Sequence, residues 1–547
     1  MFLYVIQSNH TRRDNVFDLL IKNGIVVDGT GNPWTKVDVA VQNGKIVRMN
    51  KNINEEASKI VDASNKVVSP GFIDTHIHSD LMCTIPTNHQ IRLKQGVTTE
   101  LIGQDGISVA PISEYTKSFW QDQLKSLIGD IGDWNWFSVS EYLRFLNTSN
   151  LLGNVAYLVP HGNVRTLVMG FEERTATKTE MIQMRKIVEK SIKEGAIGFS
   201  TGLVYPPNVF SNTEELIEIC KGVAKYDGCF VVHIRNESFS IIEAFDEMLE
   251  VARKTGVRLH ISHFKVIGSK NRHYYPQILK KMQEARSEGI EITFDQYPYT
   301  AGSSILHSIL PPWVHDGGTE KMLTRLKDKT VREQIAVELE ESTEFENWVY
   351  NVGWESIIIS SVNTRKNKYC EGKNMIEISE IRNQSPTEAM CDLLIEEHGN
   401  VLMIDHWGRE EDIIKAMKSP YHIVGSDGIF GNNPHPRLYG THPRILARYV
   451  RELGVLTLEE AIHHMTGAPA QLMRLKDRGL LKEGYWADII VFDPNKVQDN
   501  GTYEVPKQEP TGIETVIVNG KVTISNGNAT DNGIGKVLSN SQFEKYL

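Results

Sequence analysis

Apolar and polar positions fall into two textures along this chain. From Phe17 to Val68, short β-type runs are split by turn dipeptides: Leu19-Leu20-Ile21 before Asn23-Gly24, Ile25-Val26-Val27 before Asp28-Gly29, and Val37-Asp38-Val39-Ala40-Val41 before Asn43-Gly44. Asn-Gly and Asp-Gly between alternating runs are strong hairpin signals. The same texture returns in Ala487–Phe492 and Glu514–Ile524. An all-β beginning and an all-β ending predict one discontinuous sandwich in which the chain ends meet. Its parts are residues 1–69 and 476–547, with residues 1–15 read as a disordered leader.

Between them, over 70–475, strand-like runs alternate with longer helical stretches. Strands are predicted near Phe72–His78, Val97–Gly103, Asn154–Pro160, Ala196–Thr201, Phe230–Arg235, Arg258–Phe264, Ile290–Tyr297 and His422–Gly425, with helices such as Glu180–Glu194 and Ile241–Thr255 between them. This βα rhythm predicts an α/β fold, a (β/α)8 TIM-like barrel. The long interval before the eighth strand holds further strand-like runs at Ser356–Ser361 and Val401–Asp405. It reads as a subdomain inserted across about 300–390, and it leaves strands seven and eight assignable in more than one way.

Composition narrows the classes. The chain has 547 residues, 40% hydrophobic and 23% charged, which is ordinary for a globular protein. A net charge of −10 opposes a nucleic-acid or anionic-membrane partner. No run approaches the length of a membrane span, and Met1–Ile6 lacks the basic flank of a signal peptide. Five cysteines without a CxxC pair argue for a reducing compartment, so the expected location is cytoplasmic.

The chemistry gathers at the predicted strand ends. The first reads Asp74-Thr75-His76-Ile77-His78, and same-face positions two apart would project all three polar side chains together. Two converging imidazoles suit a borderline-soft cation such as zinc. Later ends carry Asp105 in Gly103-Gln104-Asp105-Gly106, then His233, then His263, and finally Asp427 in Gly425-Ser426-Asp427-Gly428. Each alone has an ordinary explanation as a turn or core residue. All of them at one rim of a barrel suit one or two divalent metals with an open position for water.

These residues resemble the metal-dependent amidohydrolase superfamily and, within it, the N-acyl-D-amino-acid deacylases (D-aminoacylases). The similarity runs from Asp18 to about Gly527. It is carried by Ser69-Pro70-Gly71-Phe72-Ile73-Asp74-Thr75-His76-Ile77-His78, Gly202-Leu203-Val204-Tyr205-Pro206, Asp295-Gln296-Tyr297-Pro298-Tyr299 and Pro434-His435-Pro436-Arg437-Leu438-Tyr439-Gly440-Thr441. The resemblance implies that His233 and His263 hold the tighter metal, with a bridging ligand from the second strand end, and that His76 and His78 serve a second, weaker position. It implies Asp427 as general base and acid. Lys265, Tyr297 and Arg437 would surround the substrate carboxylate and scissile carbonyl, with Tyr205 and Ser303 as further members of the pocket.

One position departs from the family pattern. Where the family commonly carries Gly-Asn-Cys-Gly, this chain has Asp105 in place of the bridging cysteine. A carboxylate is a harder ligand than thiolate, so the expected cofactor is zinc with manganese or cobalt as competitors. No lysine lies between Ala196 and Gly202, which opposes a carboxylated-lysine bridge of the hydantoinase type. The implied activity is hydrolysis of N-acyl-D-amino acids, small-molecule substrates. Another superfamily amidase, cyclic or β-aspartyl-dipeptidase-like, and a non-catalytic barrel scaffold are the competing readings.

Overall fold

The structure is a computed structural model that describes residues 16–129, 132–530 and 533–539. The predicted leader, 1–15, lies outside the described residues. The barrel strands are β1 (Phe72–Asp74), β2 (Val97–Ile102), β3 (Asn154–Pro160), β4 (Gly198–Gly202), β5 (Cys229–His233), β6 (Arg258–Ile261), β7 (Ile292–Gln296) and β8 (His422–Val424). They run parallel in the sequence order of the chain, each hydrogen-bonded to the next. Every residue of β2 and β3 is buried, as expected of strands covered on both faces.

Helices wrap the outside, and their ends follow from local chemistry. Helix α1 (Lys178–Lys193) starts at a capping box in which Thr177 and Glu180 satisfy each other's backbone N–H groups. It buries Met181, Met184, Val188 and Ile192, spaced three and four apart against the sheet. Helix α2 (Ile241–Thr255) ends at Gly256, whose φ of 70° supplies the left-handed cap.

The backbone ladder does not close the barrel between β8 and β1; side chains and one bridge do. The predicted first strand stops at Asp74 because its carboxylate accepts from the His76 and Ser426 N–H groups, which bends the chain out of the ladder. Arg92, fully buried, pairs with Asp74 and with Glu100 at 2.9 Å. Beyond it, His78 N–H donates to the Gly428 carbonyl at 3.0 Å and Asp427 N–H to the His76 carbonyl at 2.7 Å. Asp74 therefore seals the seam and does not project with the two histidines.

The chain ends build two further sheets. Ile489–Phe492 pairs antiparallel with Val67–Pro70, so strands from both ends lie in one sheet. Leu19, Val39, Val41, Ile46, Val68, Ile489 and Ile517 form one buried cluster between that sheet and its partner. Gly71 links the sandwich to β1, and any side chain there would collide with Thr98. Between β7 and β8, Ala301–Ile305, Leu402–His406 and Ile357–Ser361 form a separate antiparallel sheet with the Leu402–His406 strand central. That pairing settles the strand assignment: Leu402–His406 belongs to the added sheet, and β8 is His422–Val424. No helix among the described residues is long and apolar enough to cross a membrane.

Candidate active site

The segments leaving β1, β2, β5, β6 and β8 at their carboxyl ends bring His76, His78, Asp105, His233, His263 and Asp427 together. Their ligand-capable atoms form two groups, His76/His78/Asp105/Asp427 and Asp105/His233/His263, each contained within 4.8 Å. Asp105 belongs to both. His76 Nε2 and His78 Nε2 lie 3.5 and 3.4 Å from Asp105 Oδ2, and 3.6 and 3.3 Å from Asp427 Oδ1. His263 Nε2 lies 3.9 Å from Asp105 Oδ1, and the His233 and His263 rings meet edge to face at 4.4 Å. All six are buried.

Three of these residues adopt left-handed backbone, with φ of 56° at Asp105, 33° at His263 and 50° at Asp427. Such conformations cost free energy at residues other than glycine and persist where surroundings over-determine them. At Asp105, Ser200 Oγ bonds both the Gly103 carbonyl and the Gly106 N–H, and Asn208 donates to the Asp105 carbonyl. His263 N–H donates to Asp295 Oδ1 at 2.7 Å. The Asp427 N–H is held by His76, as described for the seam.

The electrostatics fit a cation. Although burial opposes it, the carboxylates of Asp105, Asp295 and Asp427 push His76 well above the usual imidazole range, and Asp105 and Asp427 raise His78. The cluster thus calls for positive charge. His233, by contrast, is held neutral, burial pushing it down to about 3. Both ring nitrogens of His76 and His233, His78 Nδ1 and Asp105 Oδ1 are buried without a hydrogen-bond partner. Buried polar atoms in native proteins are normally satisfied, so these atoms fit metal ligation.

A second layer of carboxylates orients these rings. His263 Nδ1 donates to Glu237 Oε1 at 3.1 Å, which turns Nε2 toward Asp105. Asp295 accepts from His260 Nε2 at 2.9 Å and lies 3.5 Å from His76 Nδ1. Neither Glu237 nor Asp295 was given a role from the sequence, although Asp295 opens one of the motifs that carry the resemblance. Glu237 sits four residues past His233, and Asp295 is the penultimate residue of β7, at the strand end that in such barrels faces the site.

The remaining predicted residues lie around this cluster. Arg437 is buried, its Nη2 2.9 Å from Asp427 Oδ2 and 3.0 Å from the Ser303 carbonyl, with its guanidinium 4.5 Å over the Tyr297 ring. Its Nε and Nη1 have no protein acceptor, and neither does the Tyr297 hydroxyl. Tyr205 packs edge-on to His233 at 5.2 Å and shares a hydrogen bond with Ser304. The Ser303 hydroxyl donates to the Met403 carbonyl, so its side chain serves the added sheet while its carbonyl serves Arg437. Lys265 Nζ lies 2.6 Å from Glu237 Oε2, a buried ion pair at the back of His263. A cavity of about 460 Å³ is walled by Leu203, Val204 and Asn236 from the segments that follow β4 and β5 and by Leu310, Phe345 and Trp348 from the interval between β7 and β8.

Fold and site define a class: a parallel α/β-barrel hydrolase with an imidazole–carboxylate centre suited to divalent cations. The model of the amidohydrolase family matches residues 59–356 and 370–524, and that of the urease alpha-subunit N-terminal domain matches 4–71. D-aminoacylase of Alcaligenes xylosoxydans xylosoxydans is 31% identical over 96% of this chain and 98% of its own. The crystal structure of N-acyl-D-glutamate deacylase from Bordetella bronchiseptica, complexed with zinc and a phosphonate mimic of the tetrahedral intermediate, superimposes with a TM-score of 0.81 at 30% identity, covering 96% of this chain and 100% of that one. A D-aminoacylase structure, described for one-metal activation and second-metal attenuation of its binuclear centre, gives 0.81 at 30% identity with the same coverage. The chain belongs to the amidohydrolase family, in its D-aminoacylase group.

Proposed function

We propose that this protein hydrolyses the amide bond of N-acyl-D-amino acids, releasing a carboxylate and a free D-amino acid. The observation that carries the reading is Asp427, whose two oxygens face the His76/His78 pair on one side and Arg437 on the other. His233, His263 and Asp105 would hold one divalent cation, and His76, His78, Asp105 and Asp427 a second, with zinc the first candidate and manganese or cobalt substitutes. Such a cation lowers the pKa of a water to about 7 and polarises the scissile carbonyl.

The chain's own residues supply the rest. Burial opposes it, but Arg437, the histidines and the hydrogen bond to His78 hold Asp427 well below the usual carboxylate range, so it is ionised at neutral pH. Asp427 takes the proton of the attacking water and returns it to the departing amine nitrogen. Arg437 fixes Asp427 through one amino group and offers its remaining donors to the substrate carboxylate. That anchor sets which face of the α-carbon meets the centre, the basis of D-selectivity. Lys265, already paired with Glu237, adds positive potential and stiffens His263. The five free, buried cysteines support a reducing, cytoplasmic setting.

The test is a chiral panel of N-acyl amino acids, hydantoins and β-aspartyl dipeptides, given to metal-depleted protein with each metal restored. Release of D-amino acids from linear N-acyl substrates is expected. Turnover confined to cyclic amides or dipeptides refutes the reading.

A further inference from the structure

Asp405 is a buried acid in the added sheet with no role in the chemistry above. It is 3% exposed, and its Oδ2 has no hydrogen-bond partner. Its place follows from strand register. Gly302 pairs with Asp405 and Ser303 with Ile404. The Ser303 carbonyl holds Arg437, and Ser304 holds the Tyr205 hydroxyl beside His233. The strand carrying Gly302 is therefore fastened at two successive residues to side chains that touch Asp427 and His233. A Cβ at Gly302 would lie 2.8 Å from Asp405 Oδ1 and 3.3 Å from the Tyr297 hydroxyl. The missing side chain leaves room for this carboxylate beside Tyr297.

Charge pairing around the site is uneven. Lys265 is matched by Glu237 at 2.6 Å and Arg437 by Asp427 at 2.9 Å. Among the described residues, Asp405 has no cation in contact. Burial pushes its carboxyl up to about 7, with Lys265 and Arg437 opposing and Glu237 adding. A buried carboxylate without a partner is costly, and a ligand cation would relieve that cost. Trp407, just past the end of the strand, also buries an unpartnered Nε1–H, and its ring meets Tyr297 edge-on at 6.4 Å. Polar groups of this kind, buried and unpartnered beside substrate-facing residues, are what selects one substrate side chain from another.

We infer that Asp405 is a specificity residue that binds a cationic substrate side chain, so that the preferred substrates are N-acyl derivatives of basic D-amino acids such as D-lysine. This rests on the deacylase reading above. The substrate would span the site, its α-carboxylate at Arg437 and its side-chain ammonium at Asp405.

The experiment compares kcat/KM for N-acetyl-D-lysine and N-acetyl-D-norleucine, which has the same straight chain without the ammonium. The metal-loaded wild type should favour lysine by about tenfold or more. In Asp405→Asn, the lysine-to-norleucine ratio should fall by about 30-fold, the scale of removing one partner of a buried charge pair. A wild-type ratio at or below one overturns the inference without any variant, and a ratio unmoved in folded Asp405→Asn overturns it as well. Hydrolysis of norleucine without preference for lysine sinks this inference alone. Failure to hydrolyse either compound or N-acetyl-D-methionine sinks the deacylase reading with it.

Discussion

Replacing Asp427 by Asn separates proton transfer from metal binding. The amide keeps the size of the carboxylate, and its oxygen can still accept from Arg437 across the 2.9 Å gap. It has no charge and cannot take a proton at neutral pH. General acid–base groups contribute about 10²- to 10⁴-fold, so kcat should fall by that factor, equivalent to about 2.7–5.4 kcal/mol in the barrier. The Asp105/His233/His263 group does not include residue 427, so at least one equivalent of metal should stay bound. The second group loses a charged ligand and should bind more weakly. Steady-state kinetics on N-acetyl-D-methionine, run beside metal analysis of the same sample, reads both effects. A rate within tenfold of wild type at full metal content would refute the role given to Asp427. Loss of all metal would refute the division of the site into two groups.

Other perturbations probe the remaining parts. His263→Ala should lose metal and activity together, and a metal-replete, active variant contradicts the ligand set. Asp105→Cys, which supplies a softer ligand, should shift the metal preference toward zinc, read by competition of zinc with manganese. Arg92→Met leaves Asp74 and Glu100 buried without their cation and should cost about 3–5 kcal/mol by urea unfolding; a loss under about 1 kcal/mol would mean that the seam does not depend on this network. His307 and His315 are held neutral by burial, down to about 4 and about 3. Their unfolded values are near about 6.5, so the unfolded chain takes up their protons first. The stability they contribute is complete above about pH 6.5 and declines as pH falls toward 4, by up to about 1.4 kcal/mol per group per pH unit. Urea midpoints that hold steady between about pH 7 and about pH 5 would contradict this.

Most of the barrel was legible because its signal is local. Runs such as Asn154–Pro160 are apolar enough to be buried on both faces, and the helix Ile241–Thr255 announces itself by periodicity and a following glycine. The added sheet was not legible in the same way. Its order places Leu402–His406 between two strands that precede it by about 40 and 100 residues, a pairing that only tertiary contact specifies. Asp74 was misread because strand alternation was extended past the point where its carboxylate bends the backbone. Glu237 and Asp295 matter through the imidazoles they touch, and contact is absent from a linear text. Asp405 did leave a trace, one acid directly after the apolar residues Val401–Ile404, but it fell within a run read only as an extra strand.

The seam at Asp74 and Arg92 has a consequence for how this molecule would fail. One lip carries His76 and His78, the other Asp427, and between them lie few backbone bonds and a single arginine network. Parting the lips by an ångström or two would leave all eight strands still laddered, yet the proton acceptor would no longer face its imidazoles. Inactivation should therefore precede unfolding on a gentle denaturant ramp, the enzyme falling silent while its circular dichroism is still that of an intact barrel.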